Sequence, residues 1–186
     1  MADAGSIYIV ERPPGDAPRL RFKQSQNESV SFDAAEFTVP ISMQSIAGAV
    51  VVTEKAIRIE DVYQLPKDAP YHFDSFFDKE TGYRTRSILT VPMVSGSGSV
   101  IGVVQVINRR RKSQDRVSID SINSVVVPFD QRAEDLLMAV AAPAVELGAL
   151  LDDNIAKQAG PSLGSYAFEA YQTVYGPTHP GMALDQ

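Results

Sequence analysis

Two apolar runs, Ser87 to Val94 and Val100 to Ile107, stand on either side of Ser95-Gly96-Ser97-Gly98-Ser99. Two strands joined by a Ser/Gly turn read as a hairpin. Both strands are nearly continuous in apolar residues. A strand with one wet face would alternate, so this hairpin belongs in the middle of a sheet covered on both sides. Such a sheet asks the rest of the chain for covering elements.

The flanking sequence supplies them. Ser6 to Val10 is a short β-rich run that stops at Pro13-Pro14-Gly15, and Arg19 to Lys23 alternates polar and apolar, so the two form a second hairpin. Phe37 to Ile41 is a short extended piece at a sheet edge. Ser45 to Glu54 predicts a helix, with Ile46, Ala49, Val50 and Thr53 on one side and Ser42 or Ser45 as cap. Ile57 to Ile59 is another strand, and Asp61 to Pro70 a loop. Asp130 to Asp152 predicts a long helix on which Val140, Ala144, Leu147 and Leu151 form a heptad seam, with Pro143 kinking or breaking it. Such a seam suits a homodimer. We divide the chain into a domain over residues 4–152 and an extension of unknown role over 153–186, where Gly and Pro recur.

Composition excludes several classes of function. No run of about 18 apolar residues is present, so no membrane span is expected. The N-terminus lacks the basic start and long apolar core of a secretion signal. The chain has no cysteine, which removes disulfides, thiolate metal sites and thiol redox chemistry. A cytoplasmic location fits. The net charge of −6 argues against nucleic acid as a partner. The two histidines, His72 and His179, share no metal-ligand spacing, and no catalytic constellation stands out, so the expectation is that the protein is not an enzyme and holds no metal.

Between Tyr71 and Arg86 lies a polar loop rich in aromatics, hydroxyls and carboxylates, fixed beside two buried strands, as small-molecule pockets are built. The stretch TGYRTRSILTVPM…GSVIGVVQVIN resembles the GAF domain, in particular the phosphodiesterase-type modules and those of bacterial signalling proteins attached to HD-GYP or other output domains. The resemblance covers roughly residues 4 to 152. It implies an α/β fold: a GAF-type central antiparallel sheet, helices on one face and a loop-covered pocket on the other.

Residues Phe73 to Thr85 resemble the pattern F-x-x-x-x-D-x-x-T-G-[FY]-x-T, in which the loop folds over a cyclic nucleotide. That resemblance implicates Phe73, Asp78, Thr81 and Thr85; the plainer reading makes Thr81-Gly82 a turn and Asp78 a cap. Ser45-Ile46-Ala47-Gly48 resembles the G-I-A-G helix start whose amides hold the phosphate, which implicates Ile46 and Ala47; as side chains they read equally as core. Asn108-Arg109 and Phe129 resemble an N-K…F-x3-D-E motif whose Lys–Asp pair ties the strand end to the final helix. Here Ala133 replaces the aspartate, so that pair cannot form as in the family. Gln105 and Ser6 are polar groups on apolar strands that either read a ligand or bond to backbone; Gln105 is expected to share a face with Ile101, Val103 and Ile107.

The function implied is regulatory. A small molecule, with a cyclic nucleotide as one candidate, binds under the loop and acts through the C-terminal helix on an output domain or protein. The alternative is a ligandless GAF module used for dimerisation or protein interaction.

Overall fold

The computed structural model describes residues 1–31 and 37–141. The elements are β1 (Ala2–Glu11), β2 (Arg19–Asn27), β3 (Thr38–Pro40), α1 (Ile46–Thr53), β4 (Ile57–Ile59), a 3-10 turn at Val62–Gln64, α2 (Phe76–Thr81), β5 (Ile88–Val94), β6 (Val100–Arg110), α3 (Ile122–Val125) and β7 (Val126–Val127). Residues 131–141 form a further helix, α4. The expected seam falls mostly outside the described residues, as do Pro143 and the 153–186 extension; Val140 alone of the seam lies inside. No helix among the described residues is long and apolar enough to cross a membrane.

The strands form one antiparallel sheet in the order β3-β2-β1-β6-β5-β4, with β7 also paired to β6. The apolar hairpin β5–β6 is therefore internal, as its composition required. One face is closed by α4. Ile7, Leu89, Val91, Met93, Val104 and Val106 pack there against Phe129, Leu137 and Ala141. The other face carries α1, where Ala47 and Val50 meet Leu20 and Val103.

Strand β1 begins four residues before the expected Ser6, and β2 runs on to Asn27. Polar residues in both extensions hid them from a reading based on apolar runs. The loop from Phe73 to Arg86 contains α2, and the loop from Arg109 to Val125 contains α3; both helices are too short to show a period. One expected neighbour of Gln105 is corrected. Ile101 packs on the α4 side, because the β5–β6 register shifts between Met93 and Val94. An extra residue in one strand sends the side chains beyond it to the opposite face.

Candidate functional site

Alternation along the central strands decides which residues meet α1 and the loop. Ser6 pairs with Gln105, and Gln105 with Thr90. These three polar side chains form a row across β1, β6 and β5 on the α1 side. Gln105 Nε2 donates to Thr90 Oγ1 at 2.9 Å, and its Oε1 takes no partner among the described residues. Thr90 is fully buried, yet Ser6, Tyr8, Gln105 and Ile107 keep solvent contact although they sit on the two central strands. Burial pushes the Tyr8 phenol up to about 12, with the Ser6 hydroxyl pulling the other way. These side chains are therefore only partly covered by what packs on the α1 face.

The start of α1 lies over the same face of the sheet. Ser45 is the N-cap: its Oγ accepts from the Gly48 amide at 3.0 Å. Gly48 is required by a close approach, since a Cβ there would collide with the Ser42 carbonyl oxygen. Ile46 packs with Ile59, Val62 and Ile88, and Ala47 with Leu20 and Val103, so both side chains are core. Their amides stand at the open end of the helix, where no intrahelical acceptor exists. The His72 amide donates to Gln44 O at 2.9 Å, which ties the beginning of the loop to the beginning of α1.

The loop holds its own shape. Asp78, 5% exposed, accepts from the Thr85 amide, the Thr85 hydroxyl and the Tyr63 hydroxyl, each at 2.8 Å. Burial and the neighbouring Asp78 push the Tyr63 phenol up to about 12. Thr81 Oγ1 donates to Phe77 O and accepts from the Tyr83 amide, so it closes the turn at Gly82, whose φ of 70° suits glycine. Phe73 lies edge-on to Tyr63 with ring centroids 5.3 Å apart and packs on the cluster that contains Ile46. The structure thus gathers the implicated residues into two groups. Ser6 and Gln105 share the α1 face of the sheet; Phe73, Asp78, Thr81 and Thr85 build the loop beside it. Ile46 and Ala47 lie at the helix start.

Sequence reasoning missed a buried polar anchor beneath the loop. Tyr83 donates to Asp3 Oδ2 at 2.7 Å, and Asn108 Nδ2 donates to the Tyr83 hydroxyl and to Arg84 O, both at 2.9 Å. Asn108 Oδ1 accepts from the Arg86 amide at 2.7 Å. Arg110 Nη1 lies 3.7 Å from Asp3 Oδ1, and its Nη2 reaches Glu28 at 2.8 Å. Asn108 is fully buried with φ of 54°. Asparagine tolerates that conformation better than most residues. The anchor joins the first strand, the loop and the end of β6.

The next residue reaches the exit helix. Arg109 Nη1 pairs with Asp130 Oδ2 at 2.8 Å and donates to Pro128 O at 3.1 Å. Asp130 Oδ1 also accepts from the Ala133 amide at the start of α4. The strand-to-helix tie expected to be lost with the aspartate at position 133 is therefore made three residues earlier.

A sheet closed by a helix on one side and covered by a short helix and a structured loop on the other defines a particular α/β class. The chain belongs to the GAF domain family, whose model matches residues 1–145. Such domains are typically small-molecule-binding regulatory modules. Among solved structures, the GAF domain of a phosphoenolpyruvate-protein phosphotransferase from Coxiella burnetii covers 84% of this chain and 75% of its own, with TM-score 0.55 and 17% identity. The GAF domain region of a Geobacter sulfurreducens membrane protein covers 76% and 78%, with TM-score 0.51 and 15% identity. By sequence, the chain is 32% identical over 115 residues to a cGMP-specific 3',5'-cyclic phosphodiesterase of Drosophila melanogaster, a match covering 58% of the chain. The chain spans about 10% of the length of that relative.

Proposed function

We propose that this chain is the regulatory, ligand-binding domain of a bacterial-type signalling protein. It takes a small molecule on the α1 face of the sheet and passes the event through its C-terminal helix to an output domain or partner. The observation that carries this reading is the half-exposed row of Ser6, Tyr8, Gln105 and Ile107 on otherwise internal strands. A filled core would have buried them. Transmission has a physical route: Asn108 holds the loop, and the adjacent Arg109 holds the start of α4. The ligand must favour one arrangement of that route over another for binding to be read out.

A cyclic purine nucleotide is the first ligand to test. The loop pattern Phe73-x4-Asp78-x2-Thr81-Gly82-Tyr83-x-Thr85 supports it, as does likeness to a relative named as cGMP-specific. We read the domain as regulatory rather than catalytic. The chain has no cysteine, and the described residues hold no cluster of three groups able to bind a metal. A cytoplasmic homodimer goes with this reading.

One observation favours the ligandless alternative. Asp78 and Thr85 already satisfy each other, so a ligand reading those groups must break bonds that exist.

The experiment is thermal denaturation with a panel of cyclic and linear purine nucleotides. A ligand at a hundred times its Kd should add about 2.7 kcal/mol. Gln105→Leu should erase the shift. No shift with any nucleotide, together with no small molecule carried through purification, would favour the interaction module.

A further inference from the structure

A cleft of about 370 Å³ opens at the edge of the sheet where β4 is the last strand among the described residues. Its polar lining comes from Arg58, Glu60, Asp61, Gln64, Tyr71 and Arg86. None of these is a residue implicated at the α1 face, although Tyr71 packs on the cluster that holds Ile46 and Phe73. The volume suits a small metabolite.

Some of the charge there is already spent. Asp61 accepts from the Tyr63 amide at 3.0 Å and from Arg84 Nη2 at 3.2 Å. Arg58 pairs with Glu134 at 2.8 Å and donates to Gln131 at 3.0 Å. The remainder is only partly matched. Glu60 is exposed and makes no hydrogen bond or ion pair among the described residues. Arg86 donates from Nη1 to Val126 O at 3.0 Å; its enclosed Nε has no hydrogen-bond acceptor and forms a long ion pair, 3.9 Å, with Asp61 Oδ2, a carboxylate shared with Arg84, so the two arginines leave one positive charge over. Among the described residues, Arg86 Nη2 makes no hydrogen bond and is not enclosed. The Gln64 amide group and the Tyr71 hydroxyl make none either.

The unmet capacity is therefore one cationic donor, one anionic acceptor and two neutral polar groups. A simple anion would satisfy Arg86 and be repelled by Glu60; a simple cation would meet the reverse. A molecule carrying one charge of each sign satisfies both. We propose that this cleft binds a free α-amino acid, with its carboxylate toward Arg86 and its ammonium toward Glu60. Occupancy would bear on two structural ties, because Arg58 is bonded to α4 and the Arg86 backbone to Asn108.

The test is calorimetric titration of the full chain with each free amino acid, and with N-acetylated and C-terminally amidated forms of any that bind. We expect saturable binding of a free amino acid. Each capped form and the Glu60→Gln variant should bind about tenfold more weakly or worse, the loss of one charge-assisted contact. Glu60 supports nothing else, so this variant should melt like the wild type. Gln105→Leu, on the α1 face, should leave the affinity unchanged. No binding by any amino acid overturns the proposal, as does binding indifferent to Glu60→Gln. Binding lost in Gln105→Leu instead would assign the ligand to the α1 face and equally overturn it.

Discussion

Thr85 donates twice to Asp78, from its amide to Oδ2 and from its hydroxyl to Oδ1, both at 2.8 Å. The pair closes the end of α2 onto the entry to β5. The loop beside the α1 face is therefore shaped by its own side chains before any ligand arrives, which lowers the ordering cost of binding.

Removing the hydroxyl while keeping the shape tests that role. Thr85→Val leaves a buried carboxylate short of one donor and should cost about 1.5–3 kcal/mol, the range for a hydrogen bond to a charged group. Thr85→Ser should recover most of it. Urea unfolding measures both; a Thr85→Val protein as stable as the wild type would free this pair for a purely ligand-facing role.

Asn108 bears two demands at once. Its side chain serves Tyr83, Arg84 and Arg86, and its backbone sits at positive φ. Asn108→Gly relieves the backbone and loses the bonds; Asn108→Ala loses both. We expect both variants to lose several kcal/mol, at ~1–3 for each buried group left unpaired. Asn108→Ala should be the worse by roughly 1 kcal/mol from the left-handed conformation. Equal stabilities would contradict the conformational part.

Arg109 and Asp130 offer a cleaner exchange. Their side chains are 31% and 54% exposed, so the pair should contribute no more than about 1 kcal/mol and weaken in salt. Ala133 borders a void of about 20 Å³ that Arg109 also lines. Ala133→Asp in an Asp130→Asn background should move the pair to position 133. A double-mutant cycle with Arg109→Met should then show coupling between 109 and 133 that the wild-type background lacks.

Acid should reveal Asp3. Burial holds its carboxyl above the ordinary range, with Tyr83, Ser29 and the Arg110 charge pulling it back. Between the unfolded value, ~3.9, and the raised folded value, the native protein carries a proton that the unfolded chain lacks. The contribution of this group to stability therefore falls as pH rises through that window and levels off above it. Lowering the pH from neutral to about 4 should move the balance between wild type and Asp3→Asn toward the wild type. Unfolding curves across pH with a constant difference would contradict this.

The sheet was legible because β5 and most of β6 are apolar on both sides, a property spread over many residues rather than resting on one. Helix α1 was legible from its spacing and from Ser45, which caps it as expected. The side of Ile101 was not, since a bulge leaves no mark in an apolar run. The anchor of Asp3, Tyr83, Asn108 and Arg110 was invisible for a different reason. Its members are up to 107 positions apart in the chain, and although Tyr83 and Asn108 stand in motifs, nothing in the sequence joins them to Asp3 or Arg110. At the candidate site, the motif pointed to Asp78 and Thr85 but not to their mutual bonding, which depends on α2 bringing residue 78 back over residue 85.

The central claim is that the half-exposed row on the α1 face receives a small molecule. Native mass spectrometry of protein purified gently from cells, with the released small molecules identified after denaturation, addresses it directly. The account predicts a non-covalent adduct on the wild-type chain that Gln105→Leu does not carry. Wild type and variant both at the bare polypeptide mass, with nothing released, would contradict it.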